Sequence, residues 1–164
     1  MSDGNPRMSD EIASLVRATL GRGLDLKERL ARGEPLSLEE EQAALKRLLL
    51  GDVEARHWPE YGGDRPPAEP GEARGRGPFL GTRYALACWL DEIFVLDSAW
   101  GTAWNETKLE VALYGSNDRA WRFWEQAALA EGRPSAGPTE VFFLCVLLGF
   151  RGELRDDPAR LRAW

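Results

Sequence analysis

Histidine is almost missing from this chain: His57 is the only one among 164 residues. A lone histidine with no cysteine or histidine cluster around it makes no metal site. Cysteine is scarce too. Cys88 and Cys145 stand in apolar surroundings without CxxC spacing, which reads as two buried free thiols in a reducing compartment. A basic excess is absent. The formal net charge of −6 argues against a general nucleic-acid binder and, less strongly, against anionic lipid. The opening "MSDGNPRMSDEIASLV" has no charged-then-apolar leader pattern. No apolar run approaches the roughly 20 residues of a membrane span. The longest, Val141 to Phe150, has ten. The chain as given is therefore expected to be soluble and cytoplasmic. GxGxxG, GxxxxGKS/T, HExxH and GxSxG are all missing, and with them the usual sequence grounds for nucleotide, zinc-hydrolase or nucleophile-elbow chemistry. "GEARGRG", Gly71 to Gly77, carries arginines among glycines. With no strand before it, it reads as a flexible loop and not as a phosphate cradle.

What is present is helical. Apolar residues make up 43% of the chain, enough for one sizeable core. Ile12, Leu15, Val16 and Leu20 recur at helical spacing between Asp10 and about Leu30, with Gly21 and Gly23 as possible breaks. Ser37 and Glu40 have capping-box spacing ahead of Leu45, Leu48 and Leu49, and Gly51 is placed to stop that helix. From Pro59 to Gly81, eleven of 23 residues are Gly or Pro, so this stretch reads as a long loop or linker. The layout is thus an N-terminal helical segment (1–58), a Gly/Pro-rich loop (59–81) and a C-terminal helical part (82–164). In that last part, Thr82 is a candidate N-cap for a helix reaching Leu96. Asn105 is a candidate N-cap for one ending near Tyr114-Gly115, with Trp104 and Leu109 as its staple. Asp118 or Asn117 caps a third, which Gly132 closes and whose stripe is Trp121, Trp124, Ala128 and Leu129. Thr139 opens an apolar helix from Glu140 to Leu148. Gly149 ends it in a left-handed turn with Phe150 packing back. Asp157-Pro158 starts a short last helix. No strand alternation competes and no repeat is found. The fold class is all-α, with about seven or eight helices.

One segment poses a chemical question. In "YALACWLDEIFVL", Tyr84 to Leu96, eleven of thirteen residues are apolar or aromatic. A helix apolar on every side is a central core helix, yet Asp91 and Glu92 stand inside it. Adjacent helix residues point about 100° apart, so the two cannot face each other as a catalytic pair. Three readings are open. One acid pairs with Arg119, Arg122 or Arg151 while the other reaches solvent at a cleft; or the pair lines a binding cleft; or one acid, with a distant partner, is a general acid. Seven tryptophans are a high count. Trp89, Trp100, Trp104, Trp121 and Trp124 serve either as packing anchors or as a stacking platform for sugars or bases.

The segment "RYALACWLDEIFVLDSAWG" resembles the central helix of the DotU/TssL family: Tyr84-Ala85-Leu86, the pair Asp91-Glu92, then Trp100-Gly101. Trp104 before a polar residue and the aromatic pair Phe123-Trp124 fall where that family has them. "FFLCVLLGFRGELR" is similar to its closing signature at Phe143, Cys145, Leu148-Gly149-Phe150, Gly152, Leu154 and Arg155. The likeness covers about Arg83 to Arg155. It implies an all-α cytoplasmic domain of two short helical bundles, followed by a C-terminal transmembrane helix. It further implies a non-enzymatic scaffold of a type VI or related type IVB secretion system. That scaffold would join an inner-membrane partner of the TssM/IcmF type and recruit baseplate components. No cofactor or metal is implied, and a homodimer is compatible. On this likeness, Asp91, Glu92, Trp100 and Trp104 are the expected partner-facing or cleft residues, and Tyr84, Gly101, Gly149, Phe150 and Gly152 the structural motif. The chain departs from the pattern in its "YGSNDRAW" loop, in the short span from Trp100 to Trp104, and after Gly152, where no apolar stretch follows. The expectation is either a chain cut before its anchor or an anchorless variant, held at the cytoplasmic face of the inner membrane. Two alternatives remain: a hydrolase using Asp91 or Glu92 as general acid, and a soluble helical adaptor unrelated to secretion.

Overall fold

The computed structural model describes residues 10–51 and 78–164. Eight α-helices occur among them: α1 (Asp10–Ala31), α2 (Leu38–Leu50), α3 (Thr82–Leu96), α4 (Gly101–Glu106), α5 (Leu109–Tyr114), α6 (Arg119–Glu131), α7 (Gly137–Leu147) and α8 (Pro158–Ala163). A 3₁₀ turn, Gly152–Leu154, lies between the last two. No strand occurs among the described residues. The all-α expectation holds. His57, Trp58 and positions 59–77 of the Gly/Pro-rich stretch lie outside the described residues.

α3 is the axis of the molecule. Thirteen of its fifteen residues, Thr82 to Phe94, are buried. It packs against α1, α2, α4, α5, α6 and α7. α1 and α2 also pack on each other, as do α6 and α7, so α3 is common to both groups. Each fully buried large side chain contributes about 1.5–3 kcal/mol. Trp89, Tyr84 and Phe94 are among the largest, so this one helix carries much of the core.

Several local signals act as read. Ser37 Oγ accepts from the Glu40 amide at 3.3 Å and opens α2. Asp157 caps α8 through the Arg160 amide at 3.1 Å. Both cysteines are buried and free. Other boundaries differ from the expectation. Asn105 is inside α4 and caps nothing, because Thr107 interrupts the helix and α5 begins separately at Leu109. Thr82 is the first residue of α3, not its cap; the cap position is Gly81, with no side-chain bond. α7 begins at Gly137, ahead of Thr139, since Pro138 suits the first helical turn. The buried stripe of α6 is Phe123, Gln126, Ala127 and Ala130 with Arg122. Ala128 and Leu129 are exposed, so the stripe lies to one side of the expected one.

Gly21 and Gly23 do not break α1, which runs through both. Gly23 is where α1 crosses α3. A Cβ there would stand 2.7 Å from Cζ3 of Trp89 and 2.9 Å from Cδ2 of Leu90. The missing side chain is what lets the two helices approach.

Residues 78–81, the end of the Gly/Pro-rich stretch, are irregular and tied to α6. Gln126 Oε1 accepts from the Leu80 amide at 2.6 Å, and its Nε2 donates to the Pro78 carbonyl at 2.9 Å. Phe79 lies against Phe142, with the Arg133 guanidinium 4.8 Å from its ring centre.

Candidate functional site

The two acids of the apolar helix are both buried, and each is bonded to backbone amides of another element. Asp91 Oδ1 accepts from the Leu109 amide at 2.7 Å and the Trp104 indole N–H at 2.9 Å; Oδ2 accepts from the Glu110 amide at 2.8 Å. Leu109 and Glu110 are the first residues of α5. The first amides of a helix have no partner within it, and its N-terminus favours negative charge. Asp91 is therefore the cap of α5, supplied from another helix. Lys108, at the cap position itself, makes no side-chain cap bond.

Glu92 does the same one step further along α3. Its Oε2 accepts from the Arg151 amide at 2.5 Å and its oxygens from the Gly152 amide at 3.1 and 3.2 Å. These amides open the 3₁₀ turn. The guanidinium of Arg155, partly exposed, stands 3.6 Å from Oε2. The side-chain cation paired with Glu92 is thus Arg155, whereas Arg151 contributes its backbone; of the expected arginines, Arg119 acts on Asp91 through its charge. Gly152 has φ of +54°, and a Cβ there would meet the Ala120 carbonyl oxygen at 2.5 Å. Only glycine fits at the amide that Glu92 holds.

A third acid completes the pattern, and the sequence reading missed it. Glu110, fully buried, accepts from Tyr84 Oη at 2.7 Å, Ser116 Oγ at 2.9 Å and the Asp118 amide at 3.1 Å on one oxygen, and from the Arg119 amide at 3.1 Å on the other. It caps α6, whose own cap residue Asp118 makes no side-chain cap bond and instead faces Arg122 at 3.5 Å. The only sequence signal was an acid in a short segment between Leu109 and Tyr114, which reads equally well as a surface residue. Three carboxylates therefore hold three N-termini: Asp91 that of α5, Glu110 that of α6, Glu92 that of the turn after α7.

Burial pushes the Asp91 carboxyl up to about 6, against the three donors that favour its charged form. Burial also raises both thiols, Cys88 and Cys145, and the Tyr84 hydroxyl well above their usual ranges. Both thiols therefore stay protonated and weakly nucleophilic. Among the described residues no group of three or more His, Cys, Asp or Glu could hold a metal ion.

Trp89, Trp100, Trp104 and Trp124 are packing anchors. Trp104 is fully buried and stacked on Phe94 at 4.4 Å. Trp100, partly exposed, lies over Trp104 at 6.3 Å and 17°. Trp89 donates to the Leu148 carbonyl at 3.2 Å and Trp124 to the Arg151 carbonyl at 3.1 Å. These two bonds tie the end of α7 and the turn after it to α3 and α6. There the Phe150 amide bonds to the Cys145 carbonyl and the Gly149 amide to that of Val146. With φ of +115° at Gly149, this is the double-bonded left-handed helix end that the spacing implied. Phe150 is buried and stacked on Phe123 at 3.8 Å.

Of the expected site residues, Asp91, Glu92 and Trp104 thus come together as an internal capping network, with Trp100 at its edge. A direct partner-facing role would need exposure that neither carboxylate has.

The arrangement defines an all-α domain whose buried acids are spent on positioning its own helices. A family model described as "Type VI secretion system protein DotU" matches residues 76–164, just over half of the chain. The chain belongs to this family and is a component of type VI secretion machinery. No curated protein and no solved structure matches it. Among the described residues no helix is long and apolar enough to cross a membrane.

Proposed function

We propose that this protein is a non-enzymatic scaffold at the cytoplasmic face of the inner membrane. It links an inner-membrane partner of the TssM/IcmF type to baseplate components through its helical domain. The observation that supports this most is the use of its buried acids. Asp91, Glu92 and Glu110 have their oxygens engaged by the protein's own amides, hydroxyls and indole. A general acid needs an oxygen free to face a substrate within hydrogen-bond reach. A scaffold needs short helices and turns held in fixed positions, and distant caps supply that. Influence of Asp91 and Glu92 on partners then runs through the placement of α5 and of residues 151–155.

The test is co-purification of the tagged chain with the inner-membrane partner and with baseplate components. The wild type should retain both. Asp91→Asn with Glu92→Gln should lose stability, and should retain partners only in proportion to the fraction folded. Retention of neither partner by the folded wild type would overturn the proposal. So would hydrolytic turnover abolished by the double substitution with the fold intact.

A further inference from the structure

One surface of the molecule plays no part in the capping network. Where α6 ends and α7 begins, a cavity of about 290 Å³ is lined by Glu131, Ala136, Thr139, Glu140, Phe143 and Trp164. Its apolar wall is exposed: Phe143 is 51% and Trp164 39% accessible, and Leu147, one turn beyond Phe143, is 60%. Large apolar side chains left in one contiguous patch mark a contact surface. The wall is braced from behind. Trp164 packs edge-on against Trp124 at 5.0 Å, and its ring centre is 6.4 Å from that of Phe143.

The rim is acidic. Glu131 and Glu140 form no ion pair among the described residues, whereas Glu34, Glu41 and Glu92 do. Both glutamates are exposed and stand beside two aromatic rings. A ring face and a carboxylate attract the same thing, a cation. The cavity is at the small end for an organic ligand and suits one long side chain. Anionic lipid is disfavoured by the same two charges.

The geometry points to a docking site for a basic amphipathic segment of a partner protein. It would set an arginine or lysine between Glu131 and Glu140 and lay apolar side chains on Phe143 and Leu147. This goes beyond the scaffold reading and is tested apart from it, because the assay uses no secretion component. The probe is a short fluorescein-labelled peptide in which leucines alternate with arginines. A matched peptide carries glutamates in place of the arginines. Anisotropy is read near physiological salt, where the overall −6 charge is largely screened.

The basic peptide should bind the wild type, and the acidic one should not. Glu131→Gln with Glu140→Gln should weaken binding about tenfold, the sum of two partly exposed charge pairs. Phe143→Ser should weaken it at least as much. Glu39→Gln with Glu40→Gln, a distant pair on α2, should leave it unchanged. All these positions are exposed, and circular dichroism checks that helicity is kept. Three results overturn the proposal: no binding to the wild type, equal binding of the acidic peptide, or equal loss in the α2 variant. A wild-type dimer that Phe143→Ser converts to monomer, with no peptide binding, would assign the surface to a second copy and overturn it as well.

Discussion

Glu110→Ala is the sharpest probe of the capping network. Four donors converge on this carboxylate: the Tyr84 hydroxyl, the Ser116 hydroxyl and the amides of Asp118 and Arg119. Hydrogen bonds to a charged acceptor contribute about 1.5–3 kcal/mol each, and a buried donor left without a partner costs about 1–3 kcal/mol. Ser116 and the α6 amides are only partly buried, so water replaces the carboxylate there. The Tyr84 hydroxyl is fully buried, out of reach of water, and keeps only the Cys88 thiol, a weak hydrogen-bonding partner. The expected loss is about 3–5 kcal/mol, near the value for breaking a buried charged network. That is a large share of the roughly 5–15 kcal/mol that holds a domain together. Glu110→Gln keeps one acceptor oxygen for the three donors on Oε2, but turns an NH₂ group toward the Arg119 amide. It should cost about 1.5–3 kcal/mol. Tyr84→Phe should cost about 1–2 kcal/mol. Combined with Glu110→Gln, it should show a coupling of about 0.5–3 kcal/mol, because the two share one bond. Urea unfolding followed at 222 nm supplies all four free energies. A Glu110→Ala loss below about 1 kcal/mol, or additive effects of the two substitutions, would refute the capping role.

Three further outcomes follow from the same geometry. The folded state holds the Asp91 proton up to about pH 6 and the unfolded chain only to about 4. Stability from this group is therefore full below pH 4 and falls by about 3 kcal/mol as pH rises through 6. Asp91→Asn lacks that slope, and a pH-independent stability gap between variant and wild type from pH 4.5 to 7 would contradict it. On α1, Gly23→Ala should destabilise by about 1–3 kcal/mol through the contact with Trp89 and Leu90, while Gly21→Ala, with open space around it, should stabilise by about 0.5–1 kcal/mol. Equal signs in thermal melts would show that the crossing of α1 and α3 does not depend on the glycine. Gly149→Ala meets no neighbour but must adopt φ of +115°, so its urea midpoint should fall by the equivalent of about 1 kcal/mol; an unchanged midpoint would mean a different helix end.

Signals that act within a few residues were legible in the sequence. Ser37 and Asp157 reach amides three positions away, and the end of α7 at Gly149 and Phe150 is set by bonds spanning five residues or fewer. The all-round apolar pattern of Tyr84 to Leu96 likewise fixed that segment as the core axis, because a helix with no polar face has no stable place outside. Caps supplied from a distance were not legible. Asn105 had the right chemistry for a cap, but the break at Thr107 moved the helix start to Leu109, and the acid that serves it lies 18 residues earlier, at Asp91. Glu92 meets its amides 59 and 60 residues along the chain. Nor could spacing tell which glycine leaves room and which only loosens a helix, since Gly21 and Gly23 differ only in what lies across from them. Periodicity and local bonding are properties of a few consecutive residues, and the sequence alone determines them. Which amide a buried carboxylate meets depends on which elements pack together, and only the tertiary structure decides that.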